Sequence, residues 1–429
     1  MILRTALISV LFAGAASAGT PAEVKARIDA QIPDLLETYH DLHLHPELSH
    51  QEEHTSAFIA AELRKAGFTV TEHIGKYDDG SAAYGVAGVL KNGPGPVVLL
   101  RTELDALPVV EATGLPFSST VRSKNQAGQD VGVMHACGHD LHMTSFLGTA
   151  RVLAASKDLW SGTLVMIGQP SEETIDGAHA MLNGGLYSIV PKPDFAIAMH
   201  DEPTIEAGKV GVVSGPVYAG ASSVEVTIKG ISGHGAHPEA TKDPIVMAAQ
   251  YIMAIQTIVS RQTLPLDPAV VTVGSIHGGS KNNIIPDEVT LGLTVRAFNE
   301  DVRENILSSL KRMANGVAMS AGMPEDRYPT MRIYESTPIT YNDPKLTERL
   351  KATFASTLGT TNVIDARPVM VSEDFGQLGL QRQIPVTLFM LGASSTASLH
   401  SSKFYPKMDP ALKTGITAEV SAILDLLRK

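Results

Sequence analysis

Ten residues, "VMHACGHDLH" from Val133 to His142, hold three histidines, one aspartate and the only cysteine of the chain, Cys137. A single cysteine cannot close an internal disulfide. It is left with intermolecular pairing, a free reactive thiol, a ligated thiolate or an inert buried thiol. Neutral imidazole and thiolate are both good ligands for zinc and its neighbours, so the surrounding histidines favour metal ligation. Cys137 and His139 lie two apart in what reads as an extended loop, so both point to one side and can reach one ion. Met143, Phe146, Leu147, Ala150, Leu153 and Ala154 then repeat at helical spacing. That spacing puts Asp140 at a helix start, where it caps free N–H groups or orients a ligating histidine. His135 and His142 read as neighbours of the ligands.

Positioning such groups requires a scaffold, and the sequence supplies strands that end in polar residues. "PVVLLRTELDALP" opens as a strand, Val97 to Leu100, and runs into Glu103 and Asp105. "GTLVMIGQPSEET" is a strand from Thr163 to Ile167 followed by Glu172 and Glu173. "PDFAIAMHDEP" is a strand from Phe195 to Met199 followed by His200, and "IPVTLFMLGAS" one from Val386 to Leu391 leading to His400. These runs alternate with helical stretches such as Ser56 to Lys65, closed by Gly67, which is the pattern of an α/β sheet flanked by helices. In such sheets the binding crevice lies beyond the carboxyl ends of the strands, so four strands deliver candidate groups to one edge. The histidines His40, His43, His45, His50 and His54 lack a partner of obvious geometry and read as solvated or capping residues, not as a second metal site.

The chain has 429 residues, 44% hydrophobic and 18% charged, with a formal net charge of −11. Its length predicts two domains. The acidic balance excludes a phosphate-backbone binder, and 5% aromatics leave little for base stacking. The opening "MILRTALISVLFAGAASAGT" places Arg4 before a short apolar run and ends in Ala16-Ser17-Ala18. This reads as a secretory signal peptide over residues 1–18. The run is shorter than the roughly 18 apolar residues of a spanning helix. A secreted or periplasmic protein without stable membrane insertion is expected.

From Ser222 the pattern changes. "SSVEVTIKG" alternates like a half-buried strand, a long helix follows Asp243 with Pro244 in its first turn, and two strands, a helix ending near Gly322 and a strand at "TMRIYES" complete the set. Strand-helix-strand-strand-helix-strand is the split βαβ pattern. Because His400 lies beyond it, this unit is inserted into the first. The expected divisions are 19–215 and 333–429 for the catalytic domain and 216–332 for the insert.

"HACGHD", "PSEE", "SGHGAHPE", "NNIIPDE", "VSEDF" and "LHSSKF", in that order and after "LHLHPELSHQEEHT", resemble the metal-dependent amidohydrolases of the aminoacylase/carboxypeptidase family. The nearest branch is that of hippurate hydrolases, N-acyl-amino-acid amidohydrolases and auxin-conjugate hydrolases. The resemblance implies a metallopeptidase-like catalytic domain, a mixed sheet flanked by helices, with an inserted ferredoxin-like α+β domain through which the chain forms a homodimer. It implies two divalent transition metal ions per chain (zinc, manganese, nickel or cobalt), held by Cys137, His139, Glu173, His200 and His400, with Glu172 as general base. It implies that His234 reaches the partner's active site to stabilise the oxyanion, and that Asn283 and Arg296 bind the substrate carboxylate. Where that branch reads Arg-Ala-Asp-x-Asp, this chain has Arg101-Thr102-Glu103-Leu104-Asp105. Asp201 and Glu202 follow His200 where an aromatic is usual, a change expected to bear on the substrate pocket.

The expected activity is hydrolysis of N-acyl amino acids by metal-activated water. The alternatives are a dipeptidase or carboxypeptidase with the same site, a non-catalytic metal- or solute-binding protein, and a hydrolase with Cys137 as nucleophile. A pure binder has no need of a base such as Glu172, and a thiol nucleophile would survive chelation.

Overall fold

The computed structural model describes residues 21–380 and 382–428; the expected signal peptide lies outside them. Along the chain, helices α1 (Pro21–Leu44) and α2 (Glu53–Lys65) precede strands β1 (Thr69–Lys76), β2 (Ala82–Asn92) and β3 (Val97–Glu103). Helix α3 (His139–Ala154) leads to β4 (Gly162–Gln169), β5 (Phe195–Glu202) and the short β6 (Val210–Val212). The next unit holds β7 (Gly220–Lys229), α4 (Pro244–Thr257), β8 (Ala269–Gly278), β9 (Glu288–Ala297), α5 (Glu300–Ser320) and β10 (Thr330–Thr337). The chain returns through α6 (Pro344–Leu358), β11 (Val363–Asp365), β12 (Val386–Gly392) and α7 (Met408–Leu426).

The large sheet is mixed, in the order β1-β2-β4-β3-β5-β12-β6-β11. The four strands expected to end in chemistry are consecutive in it. β3 runs parallel to both β4 and β5, and β12 parallel to β5, so all four carboxyl ends open on one edge. Strands buried on both faces read as unbroken apolar runs, and alternate residues show it. Val98 and Leu100 pack with α1, α3 and α7, while Leu99 packs with Val165, Ile167 and Met181 on the other face. Fully burying one such side chain contributes about 1.5–3 kcal/mol. β5 extends past Met199 and takes in His200, because β12 pairs with it as far as Gly392 opposite Glu202.

The inserted unit has its own sheet, β8-β9-β7-β10, antiparallel throughout, which is the ferredoxin-like order. Val224, Val226 and Ile228 face α4 and α5 in a separate core. Both helices are capped: the Asp243 carboxylate accepts from the Ile245 N–H, and the Asn299 side chain from the Asp301 N–H. The last strand carries this unit to Thr337, paired with Ala221.

Helices α3 and α7 approach closely, since a Cβ at Gly415 would stand 2.8 Å from Ser145 Oγ. Between them Glu419 is buried, accepting hydroxyl hydrogen bonds from Ser145 (2.8 Å) and Thr149 (2.7 Å). Burial pushes its pKa up to about 7, against the two hydrogen bonds. A carboxyl raised on folding contributes stability that is full below its unfolded pKa and is lost as pH rises through about 7. Glu419→Gln, which keeps an acceptor and cannot ionise, should therefore be more stable than the parent at pH 8 and nearly equal at pH 5. The shift caps the gain at roughly 3 kcal/mol. Urea melts at the two pH values check it; equal stability at pH 8 contradicts it.

Candidate active site

The first turn of α3 begins after Gly138, whose φ of +73 is a left-handed backbone between Cys137 and His139. A Cβ there would meet Asp201 Oδ1 at 2.5 Å. Gly138 is the N-cap residue, and Asp140 in the first turn accepts the Leu141 N–H at 2.9 Å through Oδ1, as expected of a carboxylate at a helix start. Its Oδ2 turns inward and lies 2.6 Å from His43 Nδ1. The His43 Nε2 lies 3.2 Å from Glu111. The expectation that His43 is solvated is thus wrong: it is buried between two carboxylates supplied by distant segments. His45 and His54 are exposed, as expected, the former bonded to the Asp41 carbonyl and the latter to Glu47. His50 is half-buried, stacked on Tyr77 and 3.0 Å from Asp176.

At the carboxyl edge of the sheet the candidate ligands converge. The ligand atoms of Cys137, His139 and His200 lie within 4.8 Å of one another, and so do those of Cys137, Glu173 and His400. Cys137 is common to both groups. A third group, His139, Glu172 and Glu173, meets the same limit. His139 Nδ1 faces the Asp105 carbonyl at 2.8 Å, and His200 Nδ1 faces its neighbour's carbonyl, Asp201 O, at 2.8 Å. In each ring Nδ1 therefore carries the hydrogen and Nε2 presents its lone pair to the cluster. His200 Nε2 is 3.5 Å from Cys137 Sγ, and His400 Nε2 is 3.5 Å from Glu173 Oε2.

The donor set fits a pair of cations on its own chemistry. His139 Nε2 and Glu173 Oε1 are buried with no hydrogen-bond partner among the described residues, a costly state unless something occupies them. Burial, then Glu173 and Glu172, push the Cys137 thiol well above its usual range. Burial, then Glu373 and Glu173, do the same to Glu172. Burial opposes a charge on His139, yet its hydrogen bond to Asp105 and the charge of Glu103 lift its pKa to about 10. Acids that resist ionisation around a position that favours positive charge are what a metal pair relieves.

Around the cluster lies a shell of buried acids and a histidine. Asp105 Oδ2 accepts the Glu173 N–H at 2.9 Å and the Ser49 hydroxyl at 2.7 Å. His142 sits between Glu103 Oε2 (3.0 Å) and Asp201 Oδ1 (3.1 Å). Glu103 also pairs with buried Arg101, which reaches Glu373 at 2.7 Å. Asp201, expected to bear on the substrate pocket, is turned inward to His142 instead. The signal available for this shell was the second acid in "ELD" and the pair in "SED".

The other three expected residues sit in the inserted unit. His234 is exposed, its Nδ1 accepting from the Ala236 N–H at 3.0 Å within its own loop. Asn283 is brought beside it, since its carbonyl accepts the Gly235 N–H at 2.9 Å. Arg296 projects from β9 to the loop before Glu373, where Nη1 donates to Met370 O (3.0 Å) and Ser372 Oγ (2.9 Å).

Against known proteins, the profile of peptidase family M20/M25/M40 matches residues 99–425. The chain belongs to this family. A thermostable carboxypeptidase from Saccharolobus solfataricus is 34% identical over 391 residues, covering 88% of this chain and 91% of that protein. An N-acetyldiaminopimelate deacetylase from Limosilactobacillus fermentum is 33% identical over 392 residues, 91% and 96% of the two chains. Among solved structures, a dinuclear metal-binding M20 peptidase from Bacillus subtilis superposes with a TM-score of 0.75 at 29% identity, covering 92% of this chain and 98% of its own. The M20 membership makes this chain a metal-dependent amidohydrolase. Among the described residues no helix is long and apolar enough to cross a membrane.

Proposed function

We propose that this M20 enzyme hydrolyses the amide bond of N-acyl amino acids, with Glu172 as general base beside a two-metal site. The observation that carries the reading is the buried Glu172 next to orphaned His139 Nε2 and Glu173 Oε1. Cys137, His139, Glu173, His200 and His400 would hold the ions. When bound, such ions polarise the amide carbonyl and make water acidic enough to give up a proton near neutrality. Glu172, as the carboxylate, would take that proton and pass it to the departing amine. His234 of the partner subunit donates to the carbonyl oxygen as it gains charge.

Arg296 and Asn283 bind the free carboxylate of the substrate. A guanidinium has five N–H donors, and Nη1 is the atom anchored to the 370–372 loop, so the rest of the fork remains for a carboxylate. Dimerisation through the inserted unit is supported by its exposed Ile245, Val246, Met253, Leu264 and Leu266 and by β8, an open edge strand. The leader over residues 1–18 would direct export. A dipeptidase or carboxypeptidase with the same site is the second reading, favoured by the carboxypeptidase named among the relatives.

The test is a panel of N-acyl amino acids, dipeptides and their amides on purified, metal-loaded enzyme. N-acyl amino acids should be turned over faster than dipeptides, and N-benzoylglycine well above its amide. Preference for dipeptides selects the second reading. Equal turnover of N-benzoylglycine and its amide removes the carboxylate role from Arg296 and Asn283.

A further inference from the structure

The stretch Glu47 to Thr55 supplies no proposed ligand, base or substrate contact, yet it holds both acidic loops of the site. The Glu47 carbonyl accepts the Ala106 N–H at 2.8 Å, and the Ser49 hydroxyl reaches Asp105 Oδ2. Glu52 crosses to the other loop. Its side chain is fully buried, and its Oε1 accepts from the Ser171 N–H (2.7 Å), the Ser171 hydroxyl (2.9 Å) and the His50 N–H (3.0 Å). Ser171 has φ +54 and His50 φ +67, a left-handed backbone that residues with a Cβ rarely adopt. Ser171 directly precedes Glu172. Beyond Glu172 the turn is closed by the Ile175 N–H on the Glu172 carbonyl at 2.7 Å. The backbone on both sides of Glu172 is thus fixed. On the amino side Glu52 Oε1 takes both donors of Ser171, whose hydroxyl also accepts the His50 N–H at 2.9 Å and meets the Tyr77 hydroxyl at 2.5 Å.

We infer that Glu52 is a positioning residue for Glu172: by gripping the N–H and hydroxyl of Ser171 it holds the left-handed turn that aims the Glu172 carboxyl at the ligand cluster. A left-handed serine persists only where its surroundings over-determine it, and Glu52 takes both of its donors at once. The sequence gap of 119 residues between the partners means that the amino-terminal segment, remote from every proposed ligand, completes the catalytic turn. The inference rests on Glu172 being the base, so its test carries a readout that does not depend on activity.

Glu52→Ala, Glu52→Asp and Glu52→Gln would be compared as metal-loaded enzymes, using the fastest N-acyl amino acid of the panel. Amide hydrogen exchange is followed in the peptide covering residues 170–177. The alanine variant and the aspartate variant, which is one methylene short of Ser171, should show faster exchange there. Their kcat should fall about 10- to 100-fold, the scale of a misplaced group, with KM and metal content unchanged. Glu52→Gln, whose amide oxygen can take the same donors, should restore kcat to within about threefold, a rescue of the acceptor geometry. Should the alanine variant fail to fold, the aspartate and glutamine variants give the same contrast. Unchanged exchange in the variants that lose the grip overturns the inference, as does loss of kcat only in step with loss of metal. Faster exchange with undiminished kcat would also overturn it, since the grip would then hold the turn without positioning Glu172; whether Glu172 is the base is read separately, from Glu172→Gln.

Discussion

Glu172→Gln should lower kcat by about 100- to 10,000-fold, the usual cost of removing a general base, while the enzyme binds metal to near the parent level. The amide keeps the size and hydrogen-bonding reach of the carboxyl but cannot take a proton from water. Glu172 forms a group with His139 and Glu173, and the two groups that share Cys137 are complete without it. Its neighbour should behave differently. Glu173 belongs to one of those groups, and its buried Oε1 has no other partner among the described residues, so Glu173→Gln should lose bound metal together with rate. Metal analysis beside steady-state kinetics separates the two. Near-parent turnover in Glu172→Gln would assign the base elsewhere, and equal metal loss in both variants would make Glu172 a ligand.

The contrast between these adjacent glutamates could be framed from sequence because the strand leading to them could be read. Val165 and Ile167 face one core and Leu164 and Met166 the other, so the strand is apolar without interruption and its end is marked by the first polar residues. The same logic exposed Glu103, His200 and the approach to His400, and the neighbouring order of the four strands brings them to one edge. The alternation in β7 and β9 likewise announced a sheet covered on one face. What stayed hidden was pairing between residues far apart in sequence. His43 reads as one more polar residue in a histidine-rich helix, because its partners Asp140 and Glu111 are 97 and 68 positions away. Asp140 shows both sides: its bond to the Leu141 N–H follows from its place at a helix start, which is local information, whereas the pull of the buried His43 imidazole on its other oxygen is not. Glu52 and Arg101 are further cases, each defined by carboxyl or hydroxyl partners that no local pattern names.

Mixed dimers of His234→Ala and Glu172→Gln should recover up to half of the parent activity, although each variant alone is nearly inactive. A positioned donor at a developing oxyanion is worth about 3 to 4 kcal/mol in the transition state, so His234→Ala is expected to lose roughly 100- to 1,000-fold in kcat. Within its own chain His234 is exposed in the inserted unit, paired across a two-residue ladder with Ile284 and flanked by Gly233 and Gly235. The candidate ligands belong to the other unit, at the edge of the large sheet. A two-fold interface presents the same loop of each copy to the other, and the apolar side chains Ile245 and Val246 of α4 are exposed on this unit to form one. If His234 works across that interface, the site on the His234→Ala chain of a mixed dimer has its own Glu172 and receives an intact histidine from its partner. The other site lacks both groups. If His234 serves its own chain, each site lacks one essential group and every dimer is inactive. Differently tagged variants, re-associated and purified through both tags, give dimers of known composition for the assay. Activity near half the parent value assigns the histidine to the partner's site. Inactive verified heterodimers would return it to its own chain or remove it from the reaction, and a parent-like rate in the His234→Ala homodimer would remove it outright.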